Sequence, residues 1–160
     1  MSRSSRFVCK QLTRADVAHL KSMLRVFGEA FGDVATYQHA VPRHQYLEML
    51  LSKQHFMAVA AMVDGEVVGG LAAYVLDKFE QERREIYIYD FAVSEGHRRL
   101  GIATGLIDKL RSIAAERDVY MIFVQADLVD APAIALYDSL GTKETAHHFD
   151  IEVRRIERRS

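Results

Sequence analysis

Apolar residues along this chain recur at two periods, and each change of period marks a new element. Phe7 to Leu12 is a short apolar run that reads as a first strand. Val17, Leu20, Met23, Leu24 and Phe27 then return at steps of three and four, which predicts a helix running to about Glu29 or Ala30. Thr13, with Asp16 three residues on, has the form of a capping box at its start. Gly28 and Gly32 loosen its end, and Phe31 to Ala40 has no clear period. Pro42 opens a second helix with Tyr46, Leu47, Leu50 and Leu51 on its apolar face. Phe56 to Val63 and Glu66 to Leu76 are strand runs, joined by Asp64-Gly65, a hairpin turn because glycine tolerates positive φ. A charged connection, Asp77 to Arg84, leads to a long third strand of this group, Ile86 to Val93, with Tyr87 and Tyr89 on it.

Leu106, Ile107, Leu110 and Ile113 give the next helix, Ala103 to Ala115, and Val119 to Gln125 is a compact strand. A loop, Ala126 to Pro132, precedes a helix with Ala135, Leu136 and Leu140 inward and Gly141 as its stop. Thr145 to Val153 reads as a last strand, followed by a basic tail. The order is β-α-α-β-β-β-α-β-α-β. Hairpin-joined strands followed by β-α-β units predict an α+β (mixed α/β) fold: a central mixed, mostly antiparallel sheet flanked by about four helices.

The bulk numbers narrow the class without naming it. A length of 160 residues suits one domain, 1–160, with short flexible ends at about 1–5 and 155–160. A formal net charge of −1 supplies no global field for nucleic acid or a membrane surface. The single cysteine, Cys9, excludes an intramolecular disulfide framework and a cysteine-based zinc site; it reads as a buried structural thiol. His147 and His148, adjacent on a strand, point to opposite faces and cannot chelate one metal, so one is expected buried or interfacial, the other exposed, and no metal role is assigned. Met1 to Arg6 has no apolar signal core behind it, and no run approaches the ~20 apolar residues of a bilayer span. A cytoplasmic location is the expectation.

Chemistry concentrates where the long strand meets the following helix: Val93-Ser94-Glu95-Gly96-His97-Arg98-Arg99-Leu100-Gly101-Ile102-Ala103-Thr104. A helix N-terminus has N–H groups that need acceptors, and its dipole favours negative charge. Two arginines add full positive charges. A Walker loop needs a glycine–lysine pair that is absent, and a dinucleotide fingerprint needs glycines that Gly101 lacks around it. What remains is Arg98-x-x-Gly101-x-Ala103, in which small residues let the backbone approach a phosphate.

That string resembles the pyrophosphate loop of the GNAT superfamily of N-acetyltransferases, [QR]-x-x-G-x-[GA]. The segment Ala133-Ile134-Ala135-Leu136-Tyr137-Asp138-Ser139-Leu140-Gly141 also resembles it. The resemblance implies the GNAT fold and acetyl-CoA as donor, without a metal. It places the pyrophosphate on the loop Arg98, Arg99, Leu100, Gly101, Ile102, Ala103 and Thr104. Phe91, Ala92 and Val93 would offer backbone groups to the pantetheine, as an added strand would. Longer strings are similar to the aminoglycoside 3-N-acetyltransferases of the first subclass: Phe27 to Tyr37, Leu71 to Leu76, Lys78 to Gln81, Glu85 to Asp90, and Val124 to Asp127. This closer likeness implies that the acceptor is the 3-amino group of a 2-deoxystreptamine antibiotic of the gentamicin type.

An amine acceptor is protonated at neutral pH and must lose a proton to attack a thioester. Asp90, a carboxylate in a stretch of apolar and tyrosine residues, is the candidate base; its bland alternative is a structural hydrogen bond. Tyr137 is the candidate acid for the departing thiolate on the strength of the resemblance; by burial habit alone it is a core aromatic. A polycationic acceptor calls for acids at its rim, for which Asp33, Glu80, Asp127 and Asp130 are candidates beside Asp90. Two rivals remain: a related acetyltransferase for a polyamine, lysine or protein N-terminus, and a non-catalytic acyl-CoA-binding module. A homodimer, through strand pairing or shared C-terminal segments, is the expected assembly.

Overall fold

Thr13 and Asp16 start the fold as the capping box predicts. The Thr13 backbone N–H donates to Asp16 Oδ2 at 2.8 Å, and the Thr13 hydroxyl lies 3.0 Å from the same oxygen. Lys10 Nζ pairs with Asp16 Oδ1 at 2.8 Å. The Lys10 hydrogen bond first, and the Thr13 backbone second, hold this buried carboxyl down at about 2. A turn of 3-10 helix, Arg14–Asp16, leads into α1, Val17–Phe31. The computed structural model describes residues 6–153; the expected flexible ends, 1–5 and 155–160, lie outside the described residues.

The other elements are β1 (Val8–Gln11), α2 (His44–Ser52), β2 (Phe56–Val63), β3 (Glu66–Lys78), β4 (Arg83–Val93), α3 (Ile102–Glu116), β5 (Val119–Val124) and α4 (Ala131–Leu140). The sheet order is β1-β2-β3-β4-β5, antiparallel except for the parallel β4–β5 pair. This is the mixed, mostly antiparallel sheet of an α+β fold. Asp64 and Gly65 both take positive φ, 50° and 82°, as a tight two-residue hairpin turn requires. The charged connection is shorter than expected, because β3 runs on to Lys78 and β4 begins at Arg83.

β2 is buried on nearly its whole length. Alternate strand residues point to opposite faces, so both faces must be covered. Phe56, Ala58 and Ala60 pack with Leu20, Met23, Val26 and Phe27 of α1 and Leu47 of α2, while α3 packs on the sheet through β1, β2 and β5 as well. Cys9 is half-buried rather than buried, and burial pushes its thiol up.

The chain divides into two compact units, Met1–Gln125 and Ala126–Ser160. The first contains the sheet with α1, α2 and α3. In the second, Asp130 caps α4, its Oδ1 accepting from the Ala133 N–H at 3.2 Å, and Pro132 occupies the first turn. Ala135 is exposed, not inward.

The last predicted strand is corrected. Residues 142–153 form no ladder and are exposed, with Phe149 at 80%, Ile151 at 89% and Val153 at 91%. Their alternation with His148, Asp150 and Glu152 is a strand pattern, but a strand exists only against a hydrogen-bonding neighbour, and the described part of this unit supplies none. His147 and His148 are therefore both exposed, against the expectation that one is buried, and His148 Nε2 lies 3.0 Å from Asp150 Oδ1.

Candidate active site

β4 carries an irregularity that decides what its carboxylate can do. Ala72 pairs with Asp90, but the next residue, Ala73, pairs with Ile88. Tyr89 is the extra residue of a β-bulge. Up to that point the strand alternates: Ile86 and Ile88 are buried on one face, Tyr87 and Tyr89 stand on the other. Strict alternation would send Asp90 to the isoleucine face. The bulge resets the phase and opposes Asp90 to Ala72, which packs with the α1 core as Tyr74 does. Asp90 and the tyrosines thus share one face.

The tyrosines form a continuous aromatic surface there. Tyr74 and Tyr89 meet edge to face at 6.0 Å, Tyr87 and Tyr89 at 5.7 Å, and Tyr87 stacks on Phe123 at 4.7 Å. Tyr89 remains 64% exposed, so this is a surface a ligand can reach. The Tyr87 hydroxyl donates to Gln125 Oε1 at 3.0 Å. Asp90 itself is half-buried, and Tyr37, from the segment between α1 and α2, donates to its Oδ1 at 2.8 Å. Burial raises the proton affinity of Asp90; the Tyr37 hydrogen bond opposes that rise without cancelling it. The Tyr37 phenol is raised in turn, by burial first and by Asp90 second.

The ladder with β5 runs from Arg84↔Val119 to Ile88↔Val124, whereas the ladder with β3 continues from Asp90 to Val93. β4 and β5 therefore part at the residue before the bulge, so Phe91, Ala92 and Val93 lie past the point where β5 accompanies the strand. They are half-buried.

The loop that follows has the geometry of an anion cradle. Ser94 N–H donates to Val68 O at 2.8 Å, pinning the exit of β4 to β3, and Arg98 Nε donates to the Val93 carbonyl at 3.2 Å. Arg99 has φ 63° and Gly101 has φ 80°; a left-handed residue turns successive N–H groups into one concavity. Gly101 is the N-cap of α3, no acidic side chain stands in that first turn, and Arg98, Arg99 and Leu100 are exposed. Ile102 is buried as the helix's anchor, with Ala103 half-buried and Thr104 exposed. The unfilled amides, the left-handed cap and the arginines fit a pyrophosphate such as that of coenzyme A.

The predicted rim acids have different local partners. Asp33 stands on the same segment as Tyr37, accepts the Thr36 N–H at 3.1 Å through Oδ1, and is lowered mainly by Thr36. Its charge reaches Tyr37. Glu80 lies in the β3–β4 turn, 3.3 Å from Arg83 and 3.7 Å from Lys78, so its charge is already matched. From Arg83 to Asp90 the strand rises roughly 20 Å, which puts Glu80 at the far end of the hairpin. Asp127 is exposed and its carbonyl accepts the Asp130 N–H at 3.0 Å; Asp130 serves α4 as its cap. Tyr137 is half-buried on α4, its phenol pushed up to about 12 by burial and then by the charge of Asp130.

Tyr87 and Tyr89 stood out in the sequence as tyrosines of a long central strand, whereas Tyr37 and Tyr74 were not singled out. The signal for Tyr37 was Gly28. A Cβ there would sit 3.1 Å from Tyr37 Cβ and 3.0 Å from Gln38 Nε2, so glycine lets the Tyr37 segment close on α1.

A strand end feeding an arginine-flanked anion loop, beside a carboxylate on an aromatic face, is the layout of an acyl-CoA-dependent enzyme acting on an amine. A model of the acetyltransferase (GNAT) family matches residues 20–142, and the chain belongs to that family. The GNAT fold expected from the resemblance is the one observed, and enzymes of this family use acetyl-CoA. An aminoglycoside acetyltransferase, HMB0005, from an uncultured soil metagenomic sample is 53% identical with a TM-score of 0.92, covering 93% of this chain and 99% of that one. A second, meta-AAC0020, also from an uncultured soil metagenomic sample and solved in complex with sisomicin, is 29% identical with a TM-score of 0.85, covering 92% and 97%. Among curated proteins, the N-alpha-acetyltransferase of Sulfurisphaera tokodaii is 32% identical over 116 residues, 64% of this chain and 65% of its own length. N-acetyltransferase family 8 member 2 of Rattus norvegicus is 27% identical over 92 residues, 58% and 41%. The matched stretch spans less than two thirds of the length of either curated relative.

Proposed function

We propose that this protein transfers an acetyl group from acetyl-CoA to the 3-amino group of a 2-deoxystreptamine aminoglycoside. The observation that carries the reading is Asp90: a half-buried carboxylate turned by a bulge onto a face of tyrosines, three residues before Val93, where the anion loop begins. When bound, acetyl-CoA supplies an acetyl group activated as a thioester. The amides of Arg99 to Thr104 and the Arg98 and Arg99 side chains would hold its pyrophosphate, and the β4 end at Ala92 and Val93 would align its pantetheine.

The residues of the chain do the rest by binding and by moving one proton. Asp90 pairs with the acceptor ammonium and takes one of its protons, which frees the nitrogen lone pair to form the C–N bond; a second nitrogen proton, strongly acidic once that bond exists, leaves with the departing sulfur as the thiol. The faces of Tyr74 and Tyr89 suit neighbouring ammonium groups of a polycation. Tyr137 keeps its proton at neutral pH, since a phenol at about 12 is a poor proton source for a thiolate. Its role in this reading is a hydrogen bond to the leaving sulfur rather than full proton transfer.

Likeness to HMB0005 over nearly both chains supports the aminoglycoside acceptor. The 32% likeness to an N-alpha-acetyltransferase favours the rival acceptor, a protein N-terminus. Steady-state turnover with gentamicin, spermidine and an N-terminal peptide separates them. The proposal expects kcat/KM for gentamicin to exceed the others by at least about 100-fold, the scale of a specific against an incidental acceptor. Preference for the peptide would overturn it.

A further inference from the structure

Tyr37 is placed with more care than a packing residue needs. It lies in Ala35–His39, a turn of π-helix, a rare form found mostly at functional positions. The turn is anchored on both sides of the tyrosine. Tyr37 N–H donates to the Asp33 carbonyl at 3.3 Å, and Gln38 Nε2 donates to the Arg25 carbonyl at 3.4 Å. The ring packs against Phe31 at 5.6 Å and edge-on to Phe27 at 6.1 Å, two residues of α1. Gly28, between them in sequence, has no Cβ to hold the turn away. All of this fixes one hydroxyl, and that hydroxyl donates across a sequence separation of 53 residues to Asp90 Oδ1.

We propose that Tyr37 is a positioning residue for Asp90, its hydroxyl fixing the orientation of the carboxylate and favouring the ionised form that accepts the substrate proton. The proposal rests on the reading of Asp90 as the acceptor-side base. With Oδ1 engaged by Tyr37, the acceptor nitrogen gives its proton to Oδ2: an N–H bond breaks, an O–H bond forms, and Tyr37 keeps its own proton throughout. The bulge and the π turn act together. The first turns Asp90 to the aromatic face, and the second brings the donor to meet it.

Phenols from three segments face the carboxylate. Tyr37 comes from the α1–α2 segment, Tyr74 from β3, and Tyr87 and Tyr89 from β4; each of Tyr37, Tyr74 and Tyr87 feels the Asp90 charge. Asp33 acts on Tyr37, and Tyr46 on Tyr74. The groups in this set that adjoin the carboxylate are phenols, and among the described residues Tyr37 donates to it at hydrogen-bond distance. Burial works against ionisation at Asp90, so removing the donor leaves the opposing effect alone.

The test is a carboxyl titration of the folded protein, labelled with 13C at aspartate side chains, with Asp90→Asn assigning the signal. Tyr37→Phe keeps the ring and removes the hydroxyl. The Asp90 titration is expected to move up by about one pH unit, the scale of one lost charge-assisted hydrogen bond. The acid limb of kcat/KM for gentamicin moves up with it, and acetyl-CoA affinity stays unchanged. An Asp90 titration at the same pH in both proteins would overturn the proposal, because a merely structural tyrosine leaves it where it was. If Tyr37→Phe does not fold, 3-fluorotyrosine introduced at position 37, a stronger donor of nearly equal size, must move the titration down; no movement overturns the proposal. The titration needs no acceptor. A failure to acetylate gentamicin therefore counts against the function reading and leaves this measurement to decide the role of Tyr37.

Discussion

Two opposing forces act on Asp90, and their sum has consequences for both stability and rate. Burial disfavours its charge more than Tyr37 favours it, so the folded protein holds the proton to higher pH than the unfolded chain does, where the carboxyl titrates near 3.8. A group with a raised folded pKa costs stability as pH rises above the unfolded value and costs nothing below it. Asp90→Asn is therefore expected to raise the thermal midpoint at pH 7 and to give no gain below about pH 3.8. The same variant should lose at least about 100-fold in kcat, the usual share of a general base, with acetyl-CoA affinity intact by calorimetry. Unchanged turnover would remove Asp90 as base. The carboxylate was legible in the sequence because it interrupts an apolar and tyrosine run. Its orientation was not, since period-two reading sends Asp90 to the face of Ile86 and Ile88, and a bulge at Tyr89 leaves no mark in the pattern of residue types.

At the scale of elements, the segment between α1 and α2 had no period to read and turned out to carry the hydroxyl that reaches Asp90. Its geometry comes from long-range packing: Gly28 on α1, the rings of Phe27 and Phe31, and a π turn carrying Tyr37. Adding one methyl group tests that packing. In Gly28→Ala the new Cβ meets Tyr37 Cβ at 3.1 Å and Gln38 Nε2 at 3.0 Å, so the turn must move by a few tenths of an ångström. The expected result is a fall of roughly tenfold in kcat/KM for the acceptor, as a displaced positioning group gives, with unchanged affinity for acetyl-CoA on the separate loop at Arg98 to Thr104. An equal loss at both substrates would mean that the substitution damages the fold rather than the acceptor side. The turn from β4 into α3, by contrast, was readable beforehand as a strand-to-helix junction. Arg98, Gly101 and Ala103 are local chemistry at a strand-to-helix junction, and local backbone conformation there follows from the residues themselves.

For the molecule as a whole, the sequence of elements up to α4 and the mixed, mostly antiparallel character of the sheet followed from periodicity and connections, while the order of strands within the sheet is a finding of the structure. The exception is instructive: Phe149, Ile151 and Val153 have the alternation of a strand and form no ladder, because alternation specifies a face and not a neighbour. The acids behave in the same way. Glu80 and Asp130 share the charge a cationic acceptor calls for, yet one is matched by Arg83 and Lys78 and the other caps α4. What joins the proposed donor and acceptor sides is β4, which holds Asp90 before its end and leads into the loop at Arg98 to Thr104. The central claim, acetyl transfer to one amine of an aminoglycoside, is tested most directly by NMR of the product formed from gentamicin and acetyl-CoA. The account predicts one new acetamide, on the 3-nitrogen of the 2-deoxystreptamine ring, absent when Asp90→Asn replaces the native protein; an acetyl group on another nitrogen, or no acetylated gentamicin at all, would contradict it.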